Sequence, residues 1–146
     1  MADVYKTTVS LRFKGDDLDP DELTVALGKK PEIGARRGGV WISPKGGETV
    51  SRMGSWILSI KDAEPADIDG QAAALFSDLC QDFTIWRRYA ERYQGNIFVG
   101  VFLSQFNEGL SISTTTLNAI GLRGLELGFD IYADDGRDDH DSSREE

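Results

Sequence analysis

The stretch GDDLDPDEL at residues 15–23 places five carboxylates within nine positions. Closely spaced carboxylates can bind calcium, but a calcium loop that starts at Asp17 needs glycine at its sixth position and glutamate at its twelfth. The chain has Glu22 and Gly28 at those positions. The same residues suit a helix start, in which Asp19 caps the first turn and Glu22 closes the capping box. The sequence therefore predicts a helix here and no metal site.

A second candidate for chemistry is the glycine-rich, basic stretch IGARRGGVWISPKGGET at residues 33–49. It does not match a P-loop, because its lysine precedes the glycines and no helical pattern follows, and no dinucleotide fingerprint is present. No cofactor is therefore predicted. Its backbone N–H groups and the planar guanidinium groups of Arg36 and Arg37 could still hold a carboxylate or phosphate. In this hypothesis Trp41 completes the clamp and Trp56 lines the site. The alternative is an ordinary solvated hairpin.

A third cluster combines arginines with aromatic residues at helical spacing. Aromatic rings beside arginines can stack on bases or cations. The rings recur on one side of a predicted amphipathic helix, however, and such a helix needs them for the core. We therefore expect the arginines to face solvent and the rings to be buried. The residues concerned are Trp86, Arg87, Arg88, Tyr89, Arg92 and Tyr93.

Groups suited to nucleophilic or acid-base catalysis are few. The single histidine, His140, lies in an acidic tail, where nothing would hold it against a nucleophile. The single cysteine, Cys80, falls on a predicted apolar stripe, where burial would make the thiol inert. Asp130, on the last predicted strand, is expected to be solvated. This pattern favours a protein that is not an enzyme.

The composition describes one acidic domain with a charged tail. With 146 residues and 40% hydrophobic content, the chain fits a single core. The formal charge is −9, and residues 134–146, with seven carboxylates and two arginines, contribute −5 of it. Because this segment has no apolar residue, we predict a single domain over residues 1–133 and a disordered acidic tail over residues 134–146.

The same features restrict the partners and the compartment. A net-negative domain without a basic helix is poorly suited to phosphate backbones, so no nucleic acid is expected. No apolar run is long enough to cross a bilayer, and the N-terminus lacks the features of a secretory signal. Together with the lone cysteine, this predicts a cytoplasmic protein that does not bind membranes. Nothing in the sequence decides the oligomeric state.

Hydrophobic periodicity predicts an α+β fold. Alternation of period two indicates strands, and apolar spacings of three and four indicate helices. The predicted order is β-α-β-β-α-α-β-α-β, with a single mixed or antiparallel sheet of about five strands and helices mainly on one face. The irregular hairpin at residues 40–60 requires antiparallel pairing. The predicted strands lie at residues 4–13, 40–42, 56–60, 97–103 and 125–132.

Four motifs in this order carry a resemblance to a known family. They are GDDLDPDEL at residues 15–23, LGKKP at 27–31, GSW at 54–56 and LELGFDIY at 125–132. With these spacings, residues 4–133 resemble the bacterial family called domain of unknown function 4279. The resemblance implies no agreed activity, cofactor or catalytic residue.

Two classes of function remain open from the sequence. The first is a non-enzymatic binding module that uses the basic hairpin and the neighbouring sheet surface to hold a protein partner or a small anionic ligand. The second is a small-molecule enzyme or ligand sensor with an anion-binding pocket between the hairpin and the predicted helix at residues 84–95. Arg36, Arg37, Trp41 and Trp56 are the ligand-binding candidates, and no catalytic residue is predicted.

Overall fold

A computed structural model describes residues 2–43 and 45–133 of the protein. The prediction for residues 134–146 lies outside this part of the chain. The elements, in chain order, are β1 (Ala2–Asp3), β2 (Lys6–Gly15), α1 (Pro20–Leu27), β3 (Ile33–Ala35), β4 (Val40–Ile42), β5 (Glu48–Val50), β6 (Gly54–Ser59), α2 (Ile68–Ser77), α3 (Phe83–Arg92), β7 (Asn96–Phe102), β8 (Glu108–Gly109), α4 (Thr114–Leu122) and β9 (Glu126–Tyr132).

The main sheet has five strands in the order β3-β6-β2-β7-β9. All neighbours pair antiparallel except β7 and β9, which are parallel and are connected through α4. The α+β class, the mixed sheet and the predicted alternation of strands and helices are thereby confirmed. One strand assignment needs correction, because the sheet strand after α1 is Ile33–Ala35, whereas Val40–Ile42 pairs outside this sheet.

β2 lies at the centre of the sheet because its alternating residues can serve two different environments. Val9, Leu11 and Phe13 are at most 1% exposed and belong to the hydrophobic core. Directly opposite them in register lie other buried side chains, such as Val99 across from Val9 and Trp56 across from Phe13. The four helices of the described residues all contribute side chains to this same core, so they cover one face of the sheet.

Short polar residues begin the helices, as the sequence predicts for α1. The side chain of Asp19 accepts a hydrogen bond from the backbone N–H of Asp21, and that of Ser113 accepts one from Thr116. The cap of α3 is Asp82, whose side chain accepts a hydrogen bond from the Thr84 N–H. The negative charge of the Asp82 carboxylate suits the positive end of the helix.

α2 ends at Ser77, earlier than the apolar pattern of the sequence indicates. The N–H of Leu79 donates to the carbonyl of Phe76, and that of Cys80 donates to Leu27 in α1. These bonds turn the chain out of the helix. Cys80 therefore lies in the loop between α2 and α3 and is partly exposed, which corrects its expected position on a buried helical stripe.

The predicted irregular hairpin continues the pairing of β3 and β6 away from the sheet. After a break in the ladder, Gly38 and Gly39 hydrogen-bond with Ser51, and β4 then pairs with β5. We call residues 36–53 the arm. A two-stranded ribbon has one layer and cannot bury both of its faces, so the arm stays largely exposed.

Among the helices in the described ranges, none combines the length and the apolar character that a bilayer crossing requires.

Candidate functional site

The two arginines of the predicted anion clamp lie at the base of the arm, beside the acidic start of α1. The Nη2 atom of Arg36 is 2.8 Å from Asp19 Oδ1 and 3.9 Å from Asp21 Oδ2. The Nη1 atom of Arg37 is 3.8 Å from Asp16 Oδ2. Both side chains are more than half exposed, so water screens these ion pairs and weakens them. An anion at this position would have to compete with three carboxylates.

The two tryptophans of the predicted clamp have different positions. Trp56 is fully buried, and its indole N–H donates to Thr24 Oγ1 at 3.1 Å. Its ring meets Phe13 edge-on at a centroid distance of 5.9 Å. The structure therefore separates Trp56 from the surface that carries Arg36. The backbone of Trp41 lies in β4 opposite Thr49, and its side chain is outside what the structure describes.

The carboxylates of residues 15–23 serve α1 and its neighbours. Glu22 does not close the predicted capping box. Its carboxylate instead accepts a hydrogen bond from the Tyr89 hydroxyl at 2.9 Å and lies 3.5 Å from Arg92, because α3 packs beside α1. Within the described ranges, no group of three His, Cys, Asp or Glu side chains is arranged to hold a metal ion.

The aromatic and basic residues of α3 separate as the helical period predicts. Trp86, Tyr89 and Tyr93 are at most 7% exposed and belong to the core, so their burial is confirmed. Arg87 and Arg88 face solvent. The rings of α3 are therefore not available to stack on a ligand.

The face of the sheet opposite the helices carries a different set of contacts, and we call it the open face. It holds the alternate residues of the strands, and no helix of the described chain packs on it. The guanidinium carbon of Arg12 lies 4.1 Å from the centroid of the Phe98 ring on β7. Lys6 Nζ lies 4.4 Å from the centroid of Phe102. Cations over aromatic rings shield apolar surface that a helix would otherwise have to bury.

A depression of about 420 Å³ lies on the open face, where β6, β2 and β7 run side by side. This volume is within the range of small-molecule sites, roughly 300 to 1,000 Å³. Cationic, polar and apolar side chains meet in it, which is the combination that orients an organic ligand. The six that matter most are Arg12, Lys14, Ser55, Ile57, Asn96 and Phe98.

Arg12 has the most defined position of these side chains. Its Nε–H donates to Ser10 Oγ at 3.0 Å, and its guanidinium plane is supported by Phe98. In the described ranges, no carboxylate lies within 4.0 Å of this guanidinium or of Lys14 Nζ. Their charges are therefore not neutralised by the described side chains, unlike those of Arg36 and Arg37.

The β9 side of the depression is formed by Glu126 and Gly128. Glu126 is exposed and adds one negative charge to the rim. Gly128 has no side chain, which leaves room beside Phe98. With two cations and one carboxylate, the depression has a formal charge of about +1 at neutral pH.

Farther along β9, the ring of Tyr132 stacks on Phe102 at a centroid distance of 4.6 Å. The Tyr132 hydroxyl donates a hydrogen bond of 2.6 Å to Asp130, and this bond raises the pKa of Tyr132. Asp130 is exposed, as the sequence predicts. These residues extend the polar and aromatic surface of the open face to the edge of the sheet.

The sequence reading did not select Arg12, Lys14 or Phe98. Arg12 and Lys14 alternate with the buried residues of β2, but this alternation alone does not identify the side chains of the neighbouring strands that lie beside them. A signal was present in β7, where Phe98 and Phe102 make both faces of a central strand apolar. An apolar residue on a face without helices needs a neighbouring side chain to shield it.

A family model described as Domain of unknown function (DUF4279) matches residues 5–134. This match confirms the resemblance that the four motifs indicate. No curated protein and no solved structure matches the chain. The description of the family states no ligand, activity or partner, so any function has to be inferred from the geometry of the site.

Proposed function

We propose, for a chain that belongs to the DUF4279 family, that the domain is a non-enzymatic binding module that holds a small organic anion on its open face. The observation that carries this proposal is the depression around Arg12 and Lys14. Its volume of about 420 Å³ suits a small molecule, and both cations are free of carboxylate partners within the described ranges.

The charge of the depression favours a monoanion over a polyanion. Arg12 and Lys14 would attract the anionic group, and the planar guanidinium suits a carboxylate in a bidentate arrangement. Glu126 on the rim would repel additional negative charge. Phe98 and Ile57 offer apolar contact to the remainder of the ligand. A carboxylate with a small apolar body therefore fits better than a nucleotide.

Pre-organisation also supports binding at Arg12. Its side chain is already held by Ser10 and Phe98, so less side-chain entropy is lost when a ligand is bound. The sequence-based site at Arg36 and Arg37 stays a prediction. Its arginines already face carboxylates, so we rank it below the open face.

The experiment is a thermal-unfolding screen of the full chain against aliphatic carboxylates, aromatic carboxylates, phosphate and sulfate. A carboxylate present at a hundred times its dissociation constant should stabilise the fold by about 2.7 kcal/mol and raise the unfolding midpoint. Arg12→Gln and Lys14→Gln should reduce that rise, because each removes a cation from the depression. Arg36→Gln and Arg37→Gln are the matched controls and should keep it.

Two outcomes would contradict the proposal. One is a screen in which no organic anion raises the midpoint. The other is a midpoint rise that survives Arg12→Gln and Lys14→Gln but is lost with Arg36→Gln, which would move the site to the arm. Turnover of the bound anion would instead support the alternative of an enzyme.

A second candidate function is the binding of a protein partner by the arm. One side of this ribbon carries Val40, Ile42 and Val50, which are 58%, 67% and 62% exposed. Exposed apolar groups of this kind are typical of interaction surfaces. Replacing Ile42 and Val50 by serine should abolish binding of such a partner while the domain stays folded. Unchanged binding by this variant would exclude the arm.

A further inference from the structure

The two edges of the main sheet differ in how they are protected. β3, at one edge, has three residues and follows Pro31, and short strands and prolines discourage pairing with another chain. β9, at the other edge, has seven residues and contains neither proline nor lysine. Among the described residues, no strand pairs with its outer side. A long, unpaired edge of this kind is a template for an additional strand.

The hydrogen bonds between β7 and β9 show which backbone groups of this edge are free. In a parallel ladder, the residues of a strand turn their N–H and C=O groups alternately to one side and the other. The Glu126 N–H donates to the carbonyl of Gly95. The Leu103 N–H donates to the carbonyl of Tyr132. The even-numbered residues of β9 therefore bond to β7, and the outward N–H and C=O groups belong to Leu127, Phe129 and Ile131.

The side chains of these three residues lie on the side of the sheet that the helices cover. Leu127 packs against the core, but Phe129 and Ile131 are 43% and 61% exposed. Their partners in register on β7, Val99 and Val101, are buried. The cover that the helices provide therefore ends at β9. Two large apolar side chains remain in water beside an unpaired strand edge, which is typical of an interaction surface.

We propose that β9 pairs with β9 of a second copy of this chain, antiparallel about a two-fold axis at Phe129, and joins the two main sheets into one. Phe129 then lies opposite its own copy, and Leu127 lies opposite the partner's Ile131. These residues carry the outward N–H and C=O groups, so each facing pair exchanges two hydrogen bonds. The same pairing brings the exposed apolar side chains of both copies together. A two-fold interface of this kind uses one self-complementary surface.

The charges of β9 favour this register and a second copy as the partner. With the axis at Phe129, Glu126 faces the partner's Tyr132 and Asp130 faces the partner's Gly128. An axis at Gly128 would place Glu126 directly opposite Asp130. An axis at Asp130 would place this carboxylate opposite its own copy. Like charges directly opposite each other are destabilising, and pairing about Phe129 avoids them while it uses all seven residues of the strand.

The first test is analytical ultracentrifugation of the full chain over a range of concentrations, with a dimer as the expected species. Phe129→Asp should raise the dissociation constant at least about tenfold, because two carboxylates replace an apolar contact at the centre of the interface. Phe106→Asp, at a loop position that is 100% exposed, is the matched control and should keep the dimer. A monomer at all concentrations up to about 0.1 mM, or an unchanged dissociation constant for Phe129→Asp, would overturn the proposal.

A mixing experiment tests the register. Phe129→Asp and Phe129→Lys should each dimerise poorly alone, whereas an equimolar mixture should contain more dimer than either variant, because opposite charges then face each other. Circular dichroism checks that both variants are folded. If Phe129→Asp does not fold, Ile131→Asp, at a position that is 61% exposed, takes its place in the first test. A mixture of folded variants that stays monomeric would overturn the pairing about Phe129.

Discussion

The two faces of the main sheet are built from alternate residues of the same strands. They differ in whether helices cover their side chains and in whether they carry charged groups. On the helix-covered face, Leu11 and Val99 are fully buried among side chains from all four helices. On the open face, Arg12 and Lys6 lie over Phe98 and Phe102 and remain in contact with water. The covered face supplies the free energy of folding, and the open face leaves cations available for a ligand.

The largest difference in stability between the two faces is expected for two neighbouring residues of β2, Leu11 and Arg12. Leu11→Ala should lower the free energy of unfolding by about 2 to 5 kcal/mol, because it leaves a cavity in the core. Arg12→Ala should cost less than about 1 kcal/mol, because it removes a cation–ring contact of a partly exposed side chain. Chemical denaturation of both variants measures the difference. Equal losses would mean that the open face is as closely packed as the covered one.

Glycine positions extend this comparison to steric space. A Cβ atom at Gly95 would lie 2.7 Å from Phe13 Cε1 and 2.8 Å from Leu125 Cδ2, so Gly95→Ala should destabilise the fold by about 1 to 3 kcal/mol. At Gly128, on the open face, the nearest atom is Phe98 Cδ1 at an ordinary 3.8 Å. Gly128→Ala should keep full stability in the same denaturation experiment, and a large loss there would contradict the assignment of an open face.

Substitution of Asp69 tests the hydrogen bonds on the covered side of the sheet, where α2 meets the start of α4. The Thr116 hydroxyl, at 2.6 Å, and the Ser113 N–H, at 3.0 Å, donate to it and lower its pKa. A carboxylate whose pKa is lower in the folded state contributes stability above its unfolded pKa, and this stability is lost as the pH falls through the folded value.

Asp69→Asn should therefore cost about 1 kcal/mol at pH 7. The difference from the unsubstituted protein should shrink below about pH 4, where the carboxylate of the unfolded chain becomes protonated. Asp62→Asn, at an exposed position, is the matched control and should have little effect at either pH. A cost for Asp69→Asn that does not change with pH would contradict the assigned hydrogen bonds.

The ion pairs at the base of the arm should give the smallest effect. Arg36→Ala should change the free energy of unfolding by less than about 1 kcal/mol, because the pairs with Asp19 and Asp21 are exposed. This difference should decline further in high salt. Denaturation at two ionic strengths measures it, and a loss above 2 kcal/mol would show that the arm is part of the folding core.

Sequence patterns predicted which segments form helices and strands better than they predicted which of these elements pair or pack together. The alternation at residues 4–13 and 97–103 predicted two strands of the sheet, because side chains of a strand point to opposite faces. The acidic cluster predicted the start of α1 through its cap, Asp19. Val40–Ile42 was correctly predicted to be a strand, but its place in the arm depends on the break near Gly38, which no local pattern indicates.

The candidate site was harder to predict because it depends on strand order. Arg12 and Phe98 are distant in the sequence, and they come into contact because β2 pairs with β7. Trp56 was assigned to a ligand site from its closeness to the basic hairpin, whereas the side-chain direction in β6 takes it into the core. The position of a residue within its strand determines the face of the sheet on which its side chain lies. The pairing of the strands determines which other side chains it contacts.

The most direct test of the open face is a titration of the isotope-labelled protein with the best-binding organic carboxylate, followed through backbone amide chemical shifts. The largest changes should fall on residues of β2, β6 and β7 around the depression, with Arg12, Ser55 and Phe98 among them. Changes centred on Arg36 and Arg37, with the amides of the depression unmoved, would contradict the account.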